Sequence, residues 1–409
     1  SASATASAAG TASLTLTAGG TTTFAAQAIS NAFGPGAFSG FGNSSTVFSG
    51  QELYTFGNNG ERELGQNDRV TRSSPVQVGS LTTWSTGDIG PNQTRPQVAA
   101  ISTSNQLYSW GNNYFGQLGQ NNVIFRSSPV QVGVLTNWSQ ISCGDDFMAA
   151  VKTDGTLWTW GSNGNGKNGD GTTIRRSSPV QIGSDTNWSN VSAGQAHCLA
   201  VKTDGTLWAW GNNDGQIGDN TVVSKSSPVQ IGSETNWTQV VAVENTSFAK
   251  DSTGDWYVWG ANSTGIYGNN TEGAASAASS PVQVPIADIS WLEGGGQNFI
   301  IAVKTDGSLF AWGDAANGKL GNNTTTPNKS SPIQVGSLTN WSESSCGQNF
   351  VLCTKTDGTL WAWGDNANGQ LGTNNRTYRS SPVQVGSETN WTKTRSGVEA
   401  SLTFVGTTS

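Results

Sequence analysis

Charged side chains are scarce in this 409-residue chain, because Asp, Glu, Lys and Arg together make up only 11% of it. The net charge is −7 at pH 7. This balance argues against nucleic acid as a partner, since binding to phosphates requires a basic surface. Long apolar runs are also missing, and the longest resemble Phe299–Val303. A membrane-spanning helix needs about 20 apolar residues, so we expect no membrane insertion.

Cysteine and histidine are equally rare. The four cysteines do not form a disulfide framework, and we expect them to be buried thiols that pack as small hydrophobic residues. His197 is the single histidine, and it aligns with Phe147, Phe299 and Phe350 of other repeats. A Ser–His–Asp triad would require this residue, yet no nucleophile turn lies nearby. We therefore expect His197 to be a strand residue and the protein not to be an enzyme.

A repeat dominates what the chain does contain. An aromatic residue followed by Gly, then Ser-Ser-Pro, then Trp recurs seven times, with a period of roughly 50 residues that is typical of propeller blades. The prolines of the seven units are Pro75, Pro129, Pro179, Pro228, Pro281, Pro332 and Pro382. A repeat of this kind explains most residues by packing, so specific chemistry is expected only where a unit departs from it.

Each unit reads as four antiparallel strands. Met148–Lys152 is apolar, and Asp154-Gly155 predicts a tight type I′ hairpin into the alternating segment Thr156–Trp160. Pro129–Val132 predicts a third strand with Pro at its first residue, where a missing N–H is tolerated. Trp138–Ser142 predicts the fourth. Seven such units predict an all-β, seven-bladed β-propeller of four-stranded antiparallel blades.

The 17 Trp residues are expected to pack between blades. The pattern assigns seven of them, including Trp291, to one column in the last strand of each unit. Others precede the recurring Gly or lie two residues earlier. Repeated Trp positions of this kind are typical of core packing, and truncation of one should cost roughly 3–5 kcal/mol.

The two chain ends depart from the repeat. Residues 397–405 match a first strand without a hairpin partner, so we expect this strand to pair within the first blade and close a propeller that spans residues 40–409. Residues 1–39 form a Ser-, Ala- and Thr-rich N-terminal extended arm. One interpretation is a disordered tail. The other is an arm that adds strands to a neighbouring subunit and drives oligomerisation.

The repeat resembles the regulator of chromosome condensation family. The resemblance covers roughly residues 40–405 and rests on the hairpin Asp-Gly-Thr-Leu-Trp-Ala-Trp-Gly and the loop Gly-Gln-Leu-Gly, as at Gly116–Gly119 and Gly369–Gly372. It implies a seven-bladed propeller with blades of about fifty residues. It implies little about function, because one fold supports many roles.

Known members of that family include a nucleotide exchange factor for a small GTPase, a plant ultraviolet photoreceptor and secreted bacterial inhibitors of β-lactamase. The protruding β-wedge of the exchange factor and the Gly-Trp-Arg-His-Thr motif of the photoreceptor have no counterpart in this chain. Its regular, Ser-Ser-Pro-rich repeats look more like those of bacterial and bacteriophage members. That resemblance implies a virion or a cell-surface setting.

Cofactor and metal motifs are weak. Gly161–Asn168 approaches a phosphate-binding loop, but Asn168 stands where Ser or Thr would hold Mg²⁺. The same loop and Asp365–Gly369 hint at calcium, but Ala367 stands where a ligand is needed and no Glu ends the loop. We expect no cofactor and no metal.

Two departures from packing suggest partner contacts. A basic residue precedes Ser-Ser-Pro in six units, where it either hydrogen-bonds its own loop or faces an anionic partner: Arg72, Arg126, Arg176, Lys225, Lys329 and Arg379. Two units have longer loops, at Gly87–Pro96 and Gly265–Ala278, and long loops on a rigid scaffold often carry specificity. The candidates in these loops are Asp88, Asn92, Arg95, Tyr267 and Glu272.

The sequence thus predicts a non-catalytic structural or interaction module. The preferred setting is a phage virion or a bacterial cell surface, with other subunits of an assembly or a surface receptor as partners. The alternative is a secreted propeller that inhibits or regulates a partner enzyme. A polysaccharide lyase or hydrolase ranks third, because it would need clustered carboxylates at the propeller axis, which the repeat does not supply.

Overall fold

A computed structural model describes residues 3–6, 12–17, 21–26, 50–92, 94–296 and 298–407. The first three segments are the antiparallel strands β1 (Ser3–Ala6), β2 (Ala12–Thr17) and β3 (Thr21–Ala26). They pair in the order β1-β2-β3, with Thr17 opposite Thr21. The rest of the predicted arm lies outside the described residues, and a role in oligomerisation stays a prediction.

Seven four-stranded antiparallel sheets follow, which confirms the predicted propeller. We number the blades along the chain and start with the one that contains β4. In chain order, the strands are β4 (Gly50–Gly57), β5 (Arg72–Gln77), β6 (Trp84–Ile89), β7 (Gln97–Ser102), β8 (Leu107–Gly111), β9 (Arg126–Gln131), β10 (Trp138–Cys143), β11 (Phe147–Lys152), β12 (Leu157–Gly161), β13 (Arg176–Gln181), β14 (Trp188–Ala193), β15 (His197–Lys202), β16 (Leu207–Gly211), β17 (Lys225–Ile231), β18 (Trp237–Val243), β19 (Thr246–Asp251), β20 (Trp256–Gly260), β21 (Ala278–Gln283), β22 (Ile289–Gly295), β23 (Phe299–Lys304), β24 (Leu309–Gly313), β25 (Lys329–Gln334), β26 (Trp341–Cys346), β27 (Phe350–Lys355), β28 (Leu360–Gly364), β29 (Arg379–Val385), β30 (Trp391–Ser396) and β31 (Ala400–Thr407). Short 3₁₀ helices lie at Ala274–Ser276 and Ala316–Gly318.

The blades are out of phase with the sequence repeat. Blade 2 is β6-β7-β8-β9, and blades 3 to 7 continue in the same way from β10-β11-β12-β13 to β26-β27-β28-β29. The Trp-containing strand therefore opens each blade as its innermost strand. Our assignment of Trp138–Ser142 as the last strand of the preceding unit is wrong. Sequence spacing fixes the period of a repeat but does not show where one sheet ends.

Blade 1 combines both parts of the chain, in the order β30-β31-β4-β5. Strand β31 lies between β30 and β4, and its register runs from Ala400 opposite Gly57 to Thr407 opposite Gly50. The strand occupies Ala400–Thr407 rather than residues 397–405. The sheet leaves no open seam, because the C-terminal hairpin fills the inner half of the blade that β4 and β5 begin.

Two local predictions need correction. At the hairpin, Gly155 alone has a positive φ of 76°, and its N–H donates to the carbonyl of Lys152 at 2.9 Å. The connection is thus a three-residue loop with Gly in the left-handed region, not a type I′ turn. In the outer strand, Pro129 is the fourth residue of β9 rather than the first. It fits because the register shifts there, between Ser109 and Gly111, on an edge strand.

The repeated Trp residues join each blade to the one before it. The indole Nε1 of Trp160 donates to the carbonyl of Gln117 at 2.8 Å, across the interface from blade 3 to blade 2. Gly119 lets the ring approach, since a Cβ at this residue would lie 2.9 Å from Nε1. Five further bonds of 2.7–3.0 Å repeat this contact, from Trp110, Trp210, Trp259, Trp312 and Trp363.

The Asn- and Gly-rich loops provide a second interblade contact. In every blade a loop N–H donates to the carbonyl of a Ser in the next Ser-Ser-Pro motif, at 2.6–2.9 Å. Asn121, for example, donates to Ser177, and Asn374 of blade 7 donates to Ser73 of blade 1. The series therefore closes into a ring. These bonds explain why both motifs recur, without reference to a ligand.

The rare residues lie where the sequence predicted. All four cysteines are buried free thiols. His197 is fully buried in β15, and its Nε2 lies 3.0 Å from the Ser247 hydroxyl. Burial lowers the pKa of His197 to about 4. Among the described residues, no helix is long and apolar enough to cross a membrane.

Candidate functional site

The basic residues before Ser-Ser-Pro lie at one corner of six of the seven blades, as the first residue of the outermost strand, and Ala278 takes this position in blade 5. Arg72, Arg176 and Lys225 form ion pairs of 2.6–3.0 Å with an Asp of their own loop. Within residues 50–407, no ion pair joins Arg126, Lys329 or Arg379. The local interpretation therefore fits half of the set. Partner binding by all six stays a prediction.

The long loop Gly87–Pro96 is tied to the neighbouring blade. Arg95 Nε lies 2.9 Å from both carboxylate oxygens of Asp146, and Asn92 donates to Asp145. Both Asp residues precede β11 of blade 3. Asp88 does not belong to the loop, because it lies within the innermost strand β6 and faces the axis. The loop therefore braces two blades, and its role in partner binding stays a prediction.

The second long loop divides into a buried and an exposed part. Tyr267 is only 2% exposed; its hydroxyl donates to Gly260 at 2.7 Å and accepts from Ala278 at 2.8 Å. Burial raises the pKa of Tyr267 to about 12. The prediction that Tyr267 contacts a partner is wrong, because it takes the Leu position of the Gly-Gln-Leu-Gly loop. Glu272 is exposed and stays a candidate.

The axis of the propeller contains a cavity of about 240 Å³, lined by the innermost strands. A second cavity of about 90 Å³ lies at the far ends of the same strands. In blades 3 to 5 the side chains that line the first cavity are neutral. Gln140 exchanges two hydrogen bonds with the backbone of Val191, and Ser142 accepts from the Ala193 N–H at 3.0 Å. Each such contact joins one innermost strand to the next.

Charged residues replace these neutral side chains in the other four blades. The equivalent positions carry Asp88 in blade 2, Glu293 in blade 6, Glu343 in blade 7, and Lys393 and Arg395 in blade 1. The expectation that the axis lacks clustered carboxylates is therefore wrong. We name these five residues the axial charge cluster.

The cluster is bound mainly to itself and to neighbouring backbone. Arg395 Nη1 donates to Glu343, and Lys393 Nζ donates to the carbonyl of Ser85 at 2.8 Å. Asp88 accepts from the Cys143 N–H at 2.7 Å. Burial raises the pKa of Glu293 to about 8, although Arg395 lowers it in part, and Asp88 and Glu343 raise it further. Burial also raises the pKa of Asp88 and lowers that of Lys393.

Trp291 also lies at the axis, where the sequence analysis did not place it. In blade 6, Ile289 takes the position that Trp341 has in the innermost strand of blade 7, because Ile289 pairs with Lys304 as Trp341 pairs with Lys355. The Nε1 of Trp291 donates to Ser344 at 2.8 Å, and the Arg395 guanidinium lies 5.9 Å from its ring. Other units have Trp-Ser or Trp-Thr, whereas this one has Ile-Ser-Trp, so alignment on Ser would have shown the shift.

A set of exposed apolar side chains lies beside the basic residues. Each occurs just before the outermost strand of its blade, and together they follow five consecutive blades around the ring. Their exposed fractions are 50–69%. We name them the apolar arc: Tyr378 in blade 7, Val70 in blade 1, Val123 and Ile124 in blade 2, Ile174 in blade 3, and Val222 and Val223 in blade 4.

The arc stops at two blades. In blade 5 the corresponding segment contains the helix Ala274–Ser276, and in blade 6 it is Thr324–Asn328. Neither has an exposed large apolar side chain among the described residues. The sequence showed these residues, but their exposure could not be deduced because apolar residues before a strand are usually buried. Within residues 50–407, no cluster of His, Cys, Asp and Glu has a metal-binding arrangement.

Comparisons with known proteins agree with the fold. Protein FMP25, mitochondrial, of Saccharomyces cerevisiae is 39% identical over 80 residues, which are 18% of this chain and 13% of that protein. The Regulator of chromosome condensation of Homo sapiens is 33% identical over 85 residues, which are 20% of each chain. The matched segments thus span a fifth or less of these curated relatives.

Solved structures match over much more of the chain. Prp20p of Saccharomyces cerevisiae has a TM-score of 0.79 at 16% identity, over 89% of this chain and 94% of that one. Human WBSCR16 has a TM-score of 0.77 at 18% identity, over 87% and 99% respectively. At such identities the likeness shows the fold alone. The model of the RCC1-like domain matches residues 52–404, so this chain belongs to the RCC1-like domain family.

Proposed function

We propose that this propeller is a non-catalytic protein-binding module that docks a partner along the apolar arc. RCC1-like propellers are a family of protein-interaction modules, and Prp20p has described binding properties toward Gsp1p and histones. The observation that carries the proposal is the exposure of the arc. Exposed apolar residues that recur at the same position of five consecutive blades favour an interaction site, because leaving them all in water is unfavourable.

The charges around the arc favour a protein partner. Arg72, Arg176 and Lys225 lie next to arc residues, yet their positive charge is largely neutralised by loop Asp residues. A surface of this kind combines apolar contact with a polar rim, which is the usual anatomy of a protein interface. Charge–charge attraction is then a minor contribution to affinity.

Site-specific photocrosslinking tests the proposal. A crosslinking amino acid is placed at Ile174 in the arc, or at Val134, which is 87% exposed but lies on the opposite face of the ring. In the native cell or particle, the Ile174 position should give a protein adduct that the Val134 position does not. The double variant Ile124→Ser, Val223→Ser, made in the chain that carries the crosslinker at position 174, should reduce recovery of the same adduct and leave the unfolding midpoint unchanged. Equal crosslinking at both positions would contradict the proposal that a partner docks along the apolar arc.

The setting that we propose is the surface of a bacteriophage particle or of a bacterial cell, where the partner is another subunit or a receptor. The regular repeats and the low charge of the chain support this choice. The runner-up is a secreted propeller that inhibits or regulates an enzyme. Native fractionation separates the two, since a particle component co-purifies with a large symmetric assembly and an inhibitor elutes as a monomer.

The axial carboxylates require a direct check of the non-catalytic proposal. Glu343 is paired with Arg395, Asp88 accepts a backbone hydrogen bond, and burial raises the pKa of Glu293 to about 8, so Glu293 is the acid that we choose for the check. We expect no turnover of polysaccharides by the full chain. Turnover that is present in the wild type and lost in Glu293→Gln would show an enzyme instead.

A further inference from the structure

Aromatic side chains form a second repeated surface, distinct from the apolar arc. In the third strand of each blade, a Leu or a Trp is followed directly by a half-buried aromatic residue. The seven are Tyr54, Tyr108, Trp158, Trp208, Tyr257, Phe310 and Trp361. Our assignment of Trp158, Trp208 and Trp361 to the core is therefore incomplete, because one part of each ring reaches the surface.

Three of these rings, Trp208, Tyr257 and Trp361, border grooves between the outermost strands of adjacent blades. The groove between blades 3 and 4 is lined by Ile182, Trp188, Trp208 and Pro228 and has a volume of about 410 Å³. Corresponding grooves measure about 330 Å³ between blades 4 and 5, beside Tyr257, and about 460 Å³ between blades 6 and 7, beside Trp361. All three lie in the range of small-molecule sites. We name them the interblade grooves.

The rings are held rigidly. Trp208 packs edge-to-face on Trp188, with ring centroids 5.9 Å apart, and Trp361 packs in the same way on Trp341 at 6.0 Å. The Nζ of Lys202 lies 4.1 Å from the Trp208 ring. Lys202 also pairs with Asp185, a residue that lines the groove, so the ion pair and the Trp188 ring together hold Trp208 in place. A ligand would meet a platform that is already ordered, which lowers the entropic cost of binding.

The polar side chains that line the grooves indicate which kind of ligand each groove can bind. Asp170, Gln181 and Asp185 line the first groove. Glu234 and Asp251 line the second, and Asn322 and Gln334 line the third. Carboxylates and amides bind hydroxyl groups well, since they offer several acceptors at fixed directions. An aromatic face attracts the C–H edge of a pyranose ring through its negative π-cloud. Sugars present both kinds of group on one small ring.

A proline-rich peptide is the competing ligand for an aromatic groove. Such a peptide lacks N–H groups and depends on side-chain donors for its carbonyls. The indole N–H groups are already used, because Trp208 donates to Thr206 at 2.8 Å and Trp361 to Thr359 at 2.9 Å. The carboxylates of the first groove are partly occupied, since Asp170 pairs with Arg176, which also lines the groove, and Asp185 pairs with Lys202 through one oxygen. The Gln181 amide and the other Asp185 oxygen can still bind hydroxyl groups. This composition favours a hydroxyl-rich ligand over a peptide.

We propose that the interblade grooves bind a neutral polysaccharide, one sugar segment per groove. Repetition of the grooves around the ring suits a polymer, because several weak sites on one rigid scaffold give avidity without new contacts. This inference goes beyond the protein-binding function and uses a different surface.

Affinity electrophoresis of the full chain through gels that contain a β-glucan, a mannan or a dextran tests the proposal. At least one polysaccharide should retard the wild type, and Trp208→Leu should weaken its polymer affinity at least about 10-fold. Calorimetry with short oligosaccharides of the same polymer should lose one site per chain in Trp208→Leu. Trp208→Phe keeps an aromatic ring and should retain that site.

Controls separate this inference from folding and from the arc. Gln181 is exposed on β13, so Gln181→Ala should weaken the same site without changing the unfolding midpoint. Val134→Ser, and Ile174→Ser in the arc, should leave polysaccharide binding unchanged. No retardation by any of the polysaccharides, an unaltered site number in Trp208→Leu, or preferred binding of a proline-rich peptide to the grooves would overturn the proposal.

Discussion

Blade 1 and blade 3 have the same four-stranded sheet, but the chain builds them differently. Blade 3 is continuous from Trp138 to Gln181, and each of its strands pairs with the next strand along the chain. Blade 1 takes its two inner strands, β30 and β31, from the C-terminal part of the chain and its two outer strands, β4 and β5, from the beginning of the propeller sequence. Its central pair β31–β4 extends over eight residue pairs, whereas the equivalent pair β11–β12 extends over five.

The difference shows how the ring compensates for a missing turn. No hairpin joins β31 to β4, so a longer ladder of backbone hydrogen bonds connects them instead. The added cost of closing so long a loop is modest, because the entropy of loop closure grows only logarithmically with length. Blade 1 also differs in its contacts. Phe56 stands where other blades have the interblade Trp, and Lys393 and Arg395 stand where blade 3 has Gln140 and Ser142.

Removal of residues 396–409, which deletes β31 from blade 1, should have the largest effect on stability. Without β31, strand β4 loses its inner neighbour and Leu402 and Phe404 leave the core, where both are fully buried. We expect cooperative loss of the whole fold, seen as loss of β-structure in circular dichroism. A chain shortened by residues 408 and 409 alone is the control and should unfold at the wild-type temperature. Unchanged unfolding of the longer deletion would contradict closure by β31.

Truncation of the interblade Trp should have the next largest effect. Trp160→Ala should lower the free energy of unfolding by about 3–5 kcal/mol, because it leaves a cavity between blades 2 and 3. Trp160→Phe keeps a ring, as Phe56 does in blade 1, and loses mainly the bond to Gln117, worth about 1 kcal/mol. Urea unfolding of the two variants measures the difference. Equal losses for Ala and Phe would show that the ring does not pack as described.

The axial charge cluster allows a direct contrast between blades 1 and 3. Arg395→Ala should destabilise the protein by about 3 kcal/mol, because Glu343 then lacks its partner and Glu293 and Asp88 lose a nearby positive charge. Ser142→Ala, at the equivalent position in blade 3, should cost only about 1 kcal/mol. Chemical denaturation of both variants provides the test. A larger loss for Ser142→Ala would mean that the charges contribute little to closure.

Stability should depend on pH through Glu293. Its pKa is about 8 in the folded protein and near 4.5 when unfolded, so the folded state disfavours the carboxylate. The contribution of this group is fully present below pH 4.5 and is lost as the pH rises through about 8. Glu293→Gln should therefore raise the unfolding midpoint at pH 8.5 by about 2 °C and leave it unchanged at pH 4. A stabilisation that is equal at both pH values would rule out this titration.

The smallest effect is expected at the rim of the blades. Arg176→Ala removes a partly exposed ion pair with Asp170, and such pairs contribute about 0–1 kcal/mol. Thermal unfolding should shift slightly, and the shift should shrink at high salt because ions screen the pair. A loss above about 2 kcal/mol would identify a structural role that the ion pair alone does not explain.

Much of the fold could be read from the sequence, because seven copies average out local ambiguity. The strand pattern, the blade number and the position of His197 in a strand followed from the repeat. The blade phase did not, since a period carries no origin. Tyr267 was misassigned because its loop was read as an insertion instead of being aligned with Gly-Gln-Leu-Gly.

The candidate site was harder to predict. Asp88, Glu343 and Arg395 are far apart in sequence and meet only because the innermost strands surround one axis. The sequence did carry a signal, since charges replace Gln, Asn and Ser at fixed positions of those strands. Exposure of the apolar arc and the shape of the interblade grooves depend on how neighbouring blades pack, which a single repeat cannot show.

Hydrogen exchange of the amides in β31 tests the closed ring most directly. If both parts of the chain form one cooperative sheet, the amides of Ala400–Thr407 should exchange as slowly as those of Phe147–Lys152 in blade 3, through global unfolding. Rapid exchange of β31 while β11 stays protected would show that the last strand opens independently, and it would contradict the account of a ring closed in blade 1.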